Sequence, residues 1–202
     1  EPEARDVALA IELFTEGSLN TFAKPTNVDT NSRILCYDIR DLGKQLLPVG
    51  MLVVLDSVFN RIIRNRRLGR STWVYIDEIY LLFQHEYSAN FLFTLWKRVR
   101  KYGACCTGLT QNVDDLLQSH TARTMLANSE FLVMLNQAST DRAELARLLN
   151  ISDNQLSYIT NVDFGRGLIK CGSAIVPFMD HFPKNNLYRL MSTKPSEADA
   201  AV

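Results

Sequence analysis

Short runs of β-branched, aromatic and small apolar residues alternate along this chain with longer stretches of helical periodicity. That alternation restricts it to an α/β layer fold, a mainly parallel sheet flanked by helices. The runs occupy residues 34–39, 72–76, 104–110 and 130–135. The helical stretches fall at 2–14, 46–67, 90–102, 113–126 with a break near Ser119, 140–149 and 152–159. Residues 167–170 and 174–178 read as a closing hairpin. The helix at 46–67 is apolar on most sides from 51 to 59, so that stretch is expected to be buried. In sheets of this kind ligands collect at the carboxyl ends of the strands, so chemistry is sought where the apolar runs stop.

Composition narrows the function. Lys plus Arg and Asp plus Glu are 22 each in 202 residues, giving no net charge. Binding of bulk polyanions by overall charge is thereby excluded, though a local basic patch is not. A hydrophobic fraction of 47% and a charged fraction of 22% exclude wholesale disorder. The length suits one domain with a small appendage and a core that needs no staples. Cys36, Cys105, Cys106 and Cys171 show no CxxC or Cys/His ligand spacing, and the adjacent pair reads as small core residues in a reducing cytoplasm. The opening Glu1-Pro2-Glu3-Ala4-Arg5 lacks the order of a secretory signal. The longest apolar run, 46–59, contains Asp56 and is shorter than a bilayer requires, so no transmembrane segment is expected.

The strongest chemical signal is Trp73-Val74-Tyr75-Ile76-Asp77-Glu78, read as a buried strand ending in two carboxylates. Asp77 at a strand end can hold Mg2+, directly or through water, beside nucleotide phosphates, while Glu78 polarises an attacking water. The ordinary structural alternative is that Asp77 caps the following helix and Glu78 sits in its first turn. One strand–helix unit later, Gly108-Leu109-Thr110-Gln111-Asn112 ends a strand in an amide. Gln111 would lie beside the carboxylates if the two strands are neighbours, and could sense a phosphate or orient water. The alternative is a turn capped by Thr110 or Asn112.

Between these segments lies Trp96-Lys97-Arg98-Val99-Arg100-Lys101-Tyr102. Helical spacing puts Arg98 at the edge of the apolar face, partly covered, and Arg100 on the far side, where it could reach a nucleotide on a neighbouring subunit. A solvated basic face is the common meaning of such a run. Arg61, Arg64, Arg66, Arg67 and Arg70 form a second cluster open to DNA, an acidic partner or another subunit. His85, His120 and His181 show no ligand or triad spacing. No GxxxxGK[ST] occurs, and Gly43-Lys44-Gln45 is only a partial echo of one, so the chain does not carry a complete triphosphate cradle.

Taken in order, several segments resemble the C-terminal motor domain of the conjugative-transfer and type IV secretion ATPases, the VirB-four-like family, particularly its Gram-positive members. They include Tyr37-Asp38-Ile39-Arg40-Asp41-Leu42-Gly43-Lys44, Ser71-Thr72-Trp73-Val74-Tyr75-Ile76-Asp77-Glu78 and Thr107-Gly108-Leu109-Thr110-Gln111-Asn112-Val113. Met134-Leu135-Asn136-Gln137-Ala138 and Asp180-His181-Phe182-Pro183-Lys184 continue the likeness. It covers residues 15–190. The resemblance implies a RecA-like P-loop NTPase core that uses ATP and Mg2+ and works as a homo-oligomeric ring, often a hexamer. It implies partners among conjugation channel and coupling proteins, and a place at the inner face of the cell membrane reached through them. It matches Asp77 and Glu78 to the Walker B carboxylates, Gln111 to the sensor, and Arg98 and Arg100 to the arginine-finger region. Arg142 and Arg166 are further nucleotide-contact candidates. The family's phosphate loop would lie upstream of Glu1, which makes this a C-terminal piece with little activity alone. Residues 1–30 would then be the remnant of a helical insertion, 31–190 the motor domain and 191–202 a flexible tail. Two other readings stand beside it: a non-catalytic interaction module, and a DNA translocase of the HerA or FtsK type.

Overall fold

A computed structural model describes residues 2–192, with the backbone alone at Pro2, Ser139 and Thr140. It divides into two units, Glu1–Thr72 with Lys101–Cys105, and Trp73–Arg100 with Cys106–Val202.

In the first unit, α1 (Pro2–Thr15) is followed by a 3-10 turn at Asn20–Ala23, a long loop and a second 3-10 turn at Arg40–Leu42. Helix α2 (Gly43–Arg67) then begins three residues earlier than the apolar pattern predicts. Phe22 and Leu42 pack against α2 at Gly50, where an added Cβ would collide with Leu42 Cδ1. The helix ends in a left-handed Gly69, and the N–H groups of Leu68 and Arg70 return to carbonyls of the last turn.

Three expectations change here. Residues 34–39 form no strand: Ile34 is 82% exposed and no described segment pairs with them. Apolar alternation makes a strand only where a neighbouring ladder receives its backbone groups. The loop is instead tied down by side chains, with Tyr37 Oη and Ser57 Oγ 2.8 Å apart. Second, α2 is not buried throughout 51–59: Met51 and Leu55 are, whereas Leu52 and Val53 are exposed. Third, residues 40–67 are long and apolar enough to cross a bilayer, with a best mean hydropathy of 1.7, because the helix runs past both ends of the apolar run. Length and composition alone do not put it in a membrane, since core helices of water-soluble domains pass the same test.

The same loop makes a pH prediction. Arg40 Nε donates to both carboxylate oxygens of Asp38 at 3.0 and 3.1 Å, Nη2 donates to Oδ2 at 2.5 Å, and the Arg40 backbone N–H adds a fourth bond. These bonds to Arg40 hold the Asp38 carboxyl at about 2, below its ordinary 3.8. A depressed carboxyl favours the folded turn above its ordinary titration range, and that contribution disappears as pH falls through about 2. Side-chain carbonyl NMR of Asp38 should titrate near that value. Arg40→Ala removes the guanidinium and keeps the backbone N–H, so the midpoint should rise part of the way toward 3.8.

β1 (Thr72–Ile76) and β2 (Ala104–Gly108) form a two-stranded sheet. β1 is not the buried strand expected, because alternate side chains leave opposite faces and Trp73 and Tyr75 fall on the exposed one. The Thr72 N–H donates to the Gly103 carbonyl, and the Leu109 N–H donates to the Ile76 carbonyl, the same order at both ends, so the pair runs parallel. Strand pleating puts Ala104 inward and Cys105 outward. The adjacent cysteines are therefore exposed and half-buried rather than core residues.

The second unit continues from β1 through a 3-10 turn at Ile79–Phe83, α3 (Glu86–Arg98) and a 3-10 turn at Val99–Tyr102 whose last two residues belong to the first unit. After β2 come α4 (Val113–Gln118) and α5 (His120–Ala127), and the expected break is Ser119, whose Oγ caps α5 by accepting the Ala122 N–H. β3 (Phe131–Met134), α6 (Ser139–Leu149) and α7 (Asp153–Leu156) follow. Ser152 and Gln155 form a reciprocal capping box on α7. β4 (Arg166–Cys171) and β5 (Ala174–Met179) make the expected hairpin, and β3 pairs antiparallel with β4. Asn185 caps a last helix, α8 (Asn186–Met191), that the pattern did not announce. Of the expected tail, only Met191 and Ser192 fall within the described residues. The core of this unit gathers Val113 and Leu117 of α4, Met134, Leu145, Leu149, Ile151, Ile159 and Leu168.

Candidate functional site

The ends of β1 and β2 build the site. Leu109 makes two backbone bonds to the neighbouring strand: its N–H reaches the Ile76 carbonyl at 2.8 Å, and its carbonyl accepts the Ile79 N–H at 2.9 Å. Asp77 and Glu78 are the two residues between those anchors. Opposite one residue they cannot both stay in the ladder, and Glu78 resolves the mismatch in the left-handed region, at φ 47° and ψ 48°. A non-glycine residue there costs of order 1–2 kcal/mol, so the surrounding structure must hold it.

Each carboxylate is met by a backbone N–H. The Glu78 N–H donates to Asp77 Oδ1 at 3.1 Å, and the Gln111 N–H points at Glu78 Oε2 at 3.5 Å. Neighbouring strands thus bring the Gln111 backbone to the Glu78 carboxylate, the strand adjacency that the order of the motifs anticipates. The ordinary alternative fails for the carboxylates and holds for the turn around Gln111. The 3-10 turn after Glu78 has no side-chain cap, so neither carboxylate serves as one. Thr110 bonds the Asn112 backbone, and Asn112 caps α4 through the Asp115 N–H. Those two residues discharge the turn's polar groups and leave the Gln111 side-chain amide without a hydrogen bond among the described residues.

The arginines are not gathered there. Arg98 and Arg100 are both exposed, so Arg98 is not partly covered as its helical position suggests: it lies at the end of α3, where the chain tightens into a 3-10 turn. Arg142 is half-buried on α6, and Arg166 pairs with Asp163 at 3.5 Å. Among the described residues none of the four forms an ion pair with Asp77 or Glu78. The second basic cluster is divided. Arg61 donates to the Thr30 and Ser32 carbonyls, Arg64 to Asn31, and Arg66 lies over the Tyr102 ring at 5.3 Å. Arg67 and Arg70 are exposed. His85, His120 and His181 are exposed, and no group of three metal-ligating side chains occurs among the described residues.

Asp77 nevertheless suits magnesium. It is exposed, and one of its oxygens is committed only to the Glu78 N–H. Mg2+ at phosphate sites takes one or two carboxylates and completes its shell with phosphate oxygens and water, so a three-residue cage is not required. Two residues that sequence reasoning passed over matter here, Gly108 and Ile79. Their signal was a glycine closing a strand directly before Leu109, and a β-branched residue directly after the paired acids.

The model of the TraG P-loop domain matches residues 24–166, more than half of the chain and all of the site. The chain belongs to the TraG P-loop domain family. VirB4 of Thermoanaerobacter pseudethanolicus has a similar structure, with a TM-score of 0.77 at 24% identity over 91% of this chain and 51% of that one. The likeness gives the fold, and the expected α/β P-loop NTPase class is met. This TraG-type domain spans about half the length of that VirB4 chain. Helix α2 falls inside the family match and is thus an element of the domain. No curated protein matches the chain.

Proposed function

We propose that this domain supplies the metal-holding, water-orienting and sensing half of an ATP-hydrolysing site in a motor of a conjugation or type IV secretion system. The observation that carries the reading is the strained Glu78, held with its carboxylate at the Gln111 backbone while performing no capping role. Asp77 holds Mg2+, directly or through water. That ion, when bound, neutralises phosphate charge. Glu78 orients the attacking water and draws its proton, and Gln111 reports the terminal phosphate through its unbonded amide. The phosphate cradle comes from residues outside this sequence, since no GxxxxGK[ST] lies within it.

The working protein on this reading is a homo-oligomeric ring of six at the inner face of the cell membrane, held there by channel and coupling proteins. Arg98 or Arg100 reaches the nucleotide of an adjacent subunit, and both are exposed, as that role requires. Arg142 and Arg166 are the alternatives for nucleotide contact. Any DNA contact by the second cluster falls to Arg67 and Arg70, because Arg61, Arg64 and Arg66 are engaged within the chain. Residues 31–190 form the motor domain and 1–30 an appendage.

Asp77→Asn in the full-length protein tests the reading. It should lower kcat/KM for Mg-ATP by about 100-fold or more. Hydrolysis at the wild-type rate would remove Asp77 from the site.

A further inference from the structure

The geometry points to Gly108 as the positioning residue for Glu78: its missing side chain is the socket in which Ile79 seats, and Ile79 fixes the turn that aims the carboxylate. This rests on the hydrolytic role proposed for Glu78. Ile79 follows Glu78 directly, is only 5% exposed and starts the 3-10 turn packed against α3 and α4. A Cβ on Gly108 would lie 2.6 Å from Ile79 Cδ1, 3.2 Å from Cγ2 and 3.4 Å from Cβ. The first distance is shorter than real carbon contacts, so a side chain at 108 makes the Ile79 side chain give way, at Cδ1 first and at Cγ2 by a few tenths of an ångström.

Gly108 itself lies outside the left-handed region, so backbone freedom is not the reason for a glycine. The reason is space, and the space serves Ile79. That residue is pinned at two points, by its N–H on the Leu109 carbonyl and by its side chain over Gly108. With both ends of the Asp77-Glu78 excursion fixed, at Ile76 and at Ile79, the two residues between them have little choice of path. The left-handed Glu78 is the path taken, and it brings Oε2 to the Gln111 N–H. If Ile79 is lifted, the second anchor loosens and the carboxylate moves off its line. Gly108 acts through Ile79 and touches no reacting atom.

The test is ATP hydrolysis by the full-length protein with four variants: Glu78→Gln, Gly108→Ala, Ile79→Val and the Gly108→Ala/Ile79→Val double variant. Displacement of about an ångström should lower kcat in Gly108→Ala by about 100-fold with KM for ATP unchanged. Ile79→Val removes the Cδ1 that makes the 2.6 Å contact, so the double variant should recover most of the lost kcat. Rescue assigns the loss to the contact with Ile79, and an unchanged KM and urea midpoint in Gly108→Ala set a positional effect apart from lost stability. If Gly108→Ala keeps the wild-type kcat, or loses activity that the double variant does not regain, the socket is refuted. If Gly108→Ala does not fold, the double variant decides: folding with recovered turnover supports the socket, and misfolding or low turnover overturns it. Glu78→Gln separates the two levels. Wild-type hydrolysis in that variant refutes the role of Glu78 itself, whereas its loss beside an unaffected Gly108→Ala refutes only the positioning.

Discussion

Glu78→Gln in the full-length protein is expected to lower kcat for ATP by about 10²- to 10⁴-fold, the range for losing a positioned general base. That corresponds to about 3–5 kcal/mol of transition-state stabilisation. The substitution is nearly isosteric, and an amide oxygen can still accept the Gln111 N–H that now faces Oε2. The left-handed turn is fixed by the backbone bonds at Ile76, Leu109 and Ile79, none of which involves the Glu78 side chain. Stability and nucleotide affinity should therefore stay near wild type. What disappears is the basic oxygen that takes a proton from water. A fall in kcat at constant KM is the pattern of an interaction made only in the transition state, and steady-state kinetics with nucleotide-binding measurements separate it from lost affinity. A variant that binds ATP and turns it over at the normal rate would leave Glu78 with a structural role alone.

The sequence made this site readable because its chemistry is local and its topology follows a rule. Asp77, Glu78 and Gln111 each follow an apolar run, and consecutive strand–helix units set neighbouring strands side by side, so two strand ends meet. The helix boundaries at Ser119 and Ser152 were readable for a similar reason, and the structure adds that each hydroxyl caps its helix on the N–H three positions on. The rest depended on distant partners. Nothing near residues 34–39 says that their backbone lacks a ladder, and nothing near Arg61 says that its guanidinium closes on the Thr30 and Ser32 carbonyls. The left-handed Glu78 and the Gly108 socket arise from packing between segments thirty residues apart. A helical wheel likewise places Arg98 only for as long as the α-helix lasts, and α3 gives way to a 3-10 turn just beyond it.

The largest effect on stability is expected from Leu168→Ala. Leu168 is fully buried in the middle of β4, the central strand of its sheet, with Met134 of β3 and Pro177 of β5 opposite it in register. Its side chain belongs to the cluster that joins α4, α6 and the chain around Ile151 and Ile159 to the sheet. Removing the isobutyl group in such surroundings costs about 2–5 kcal/mol, from lost burial and from the cavity left when strands on both sides prevent collapse. Against a typical domain stability of about 5–15 kcal/mol this is a large share. Urea unfolding followed by circular dichroism should show a lower midpoint with an unchanged slope. Leu168→Met, which conserves volume, should cost less than about 1.5 kcal/mol. The same cavity bears on the site through Val113 and Leu117, which anchor α4 immediately after Gln111 and Asn112. Some loss of turnover should accompany Leu168→Ala even where the protein remains folded. A Leu168→Ala protein as stable as wild type would mean that this sheet packs against something other than the cluster described.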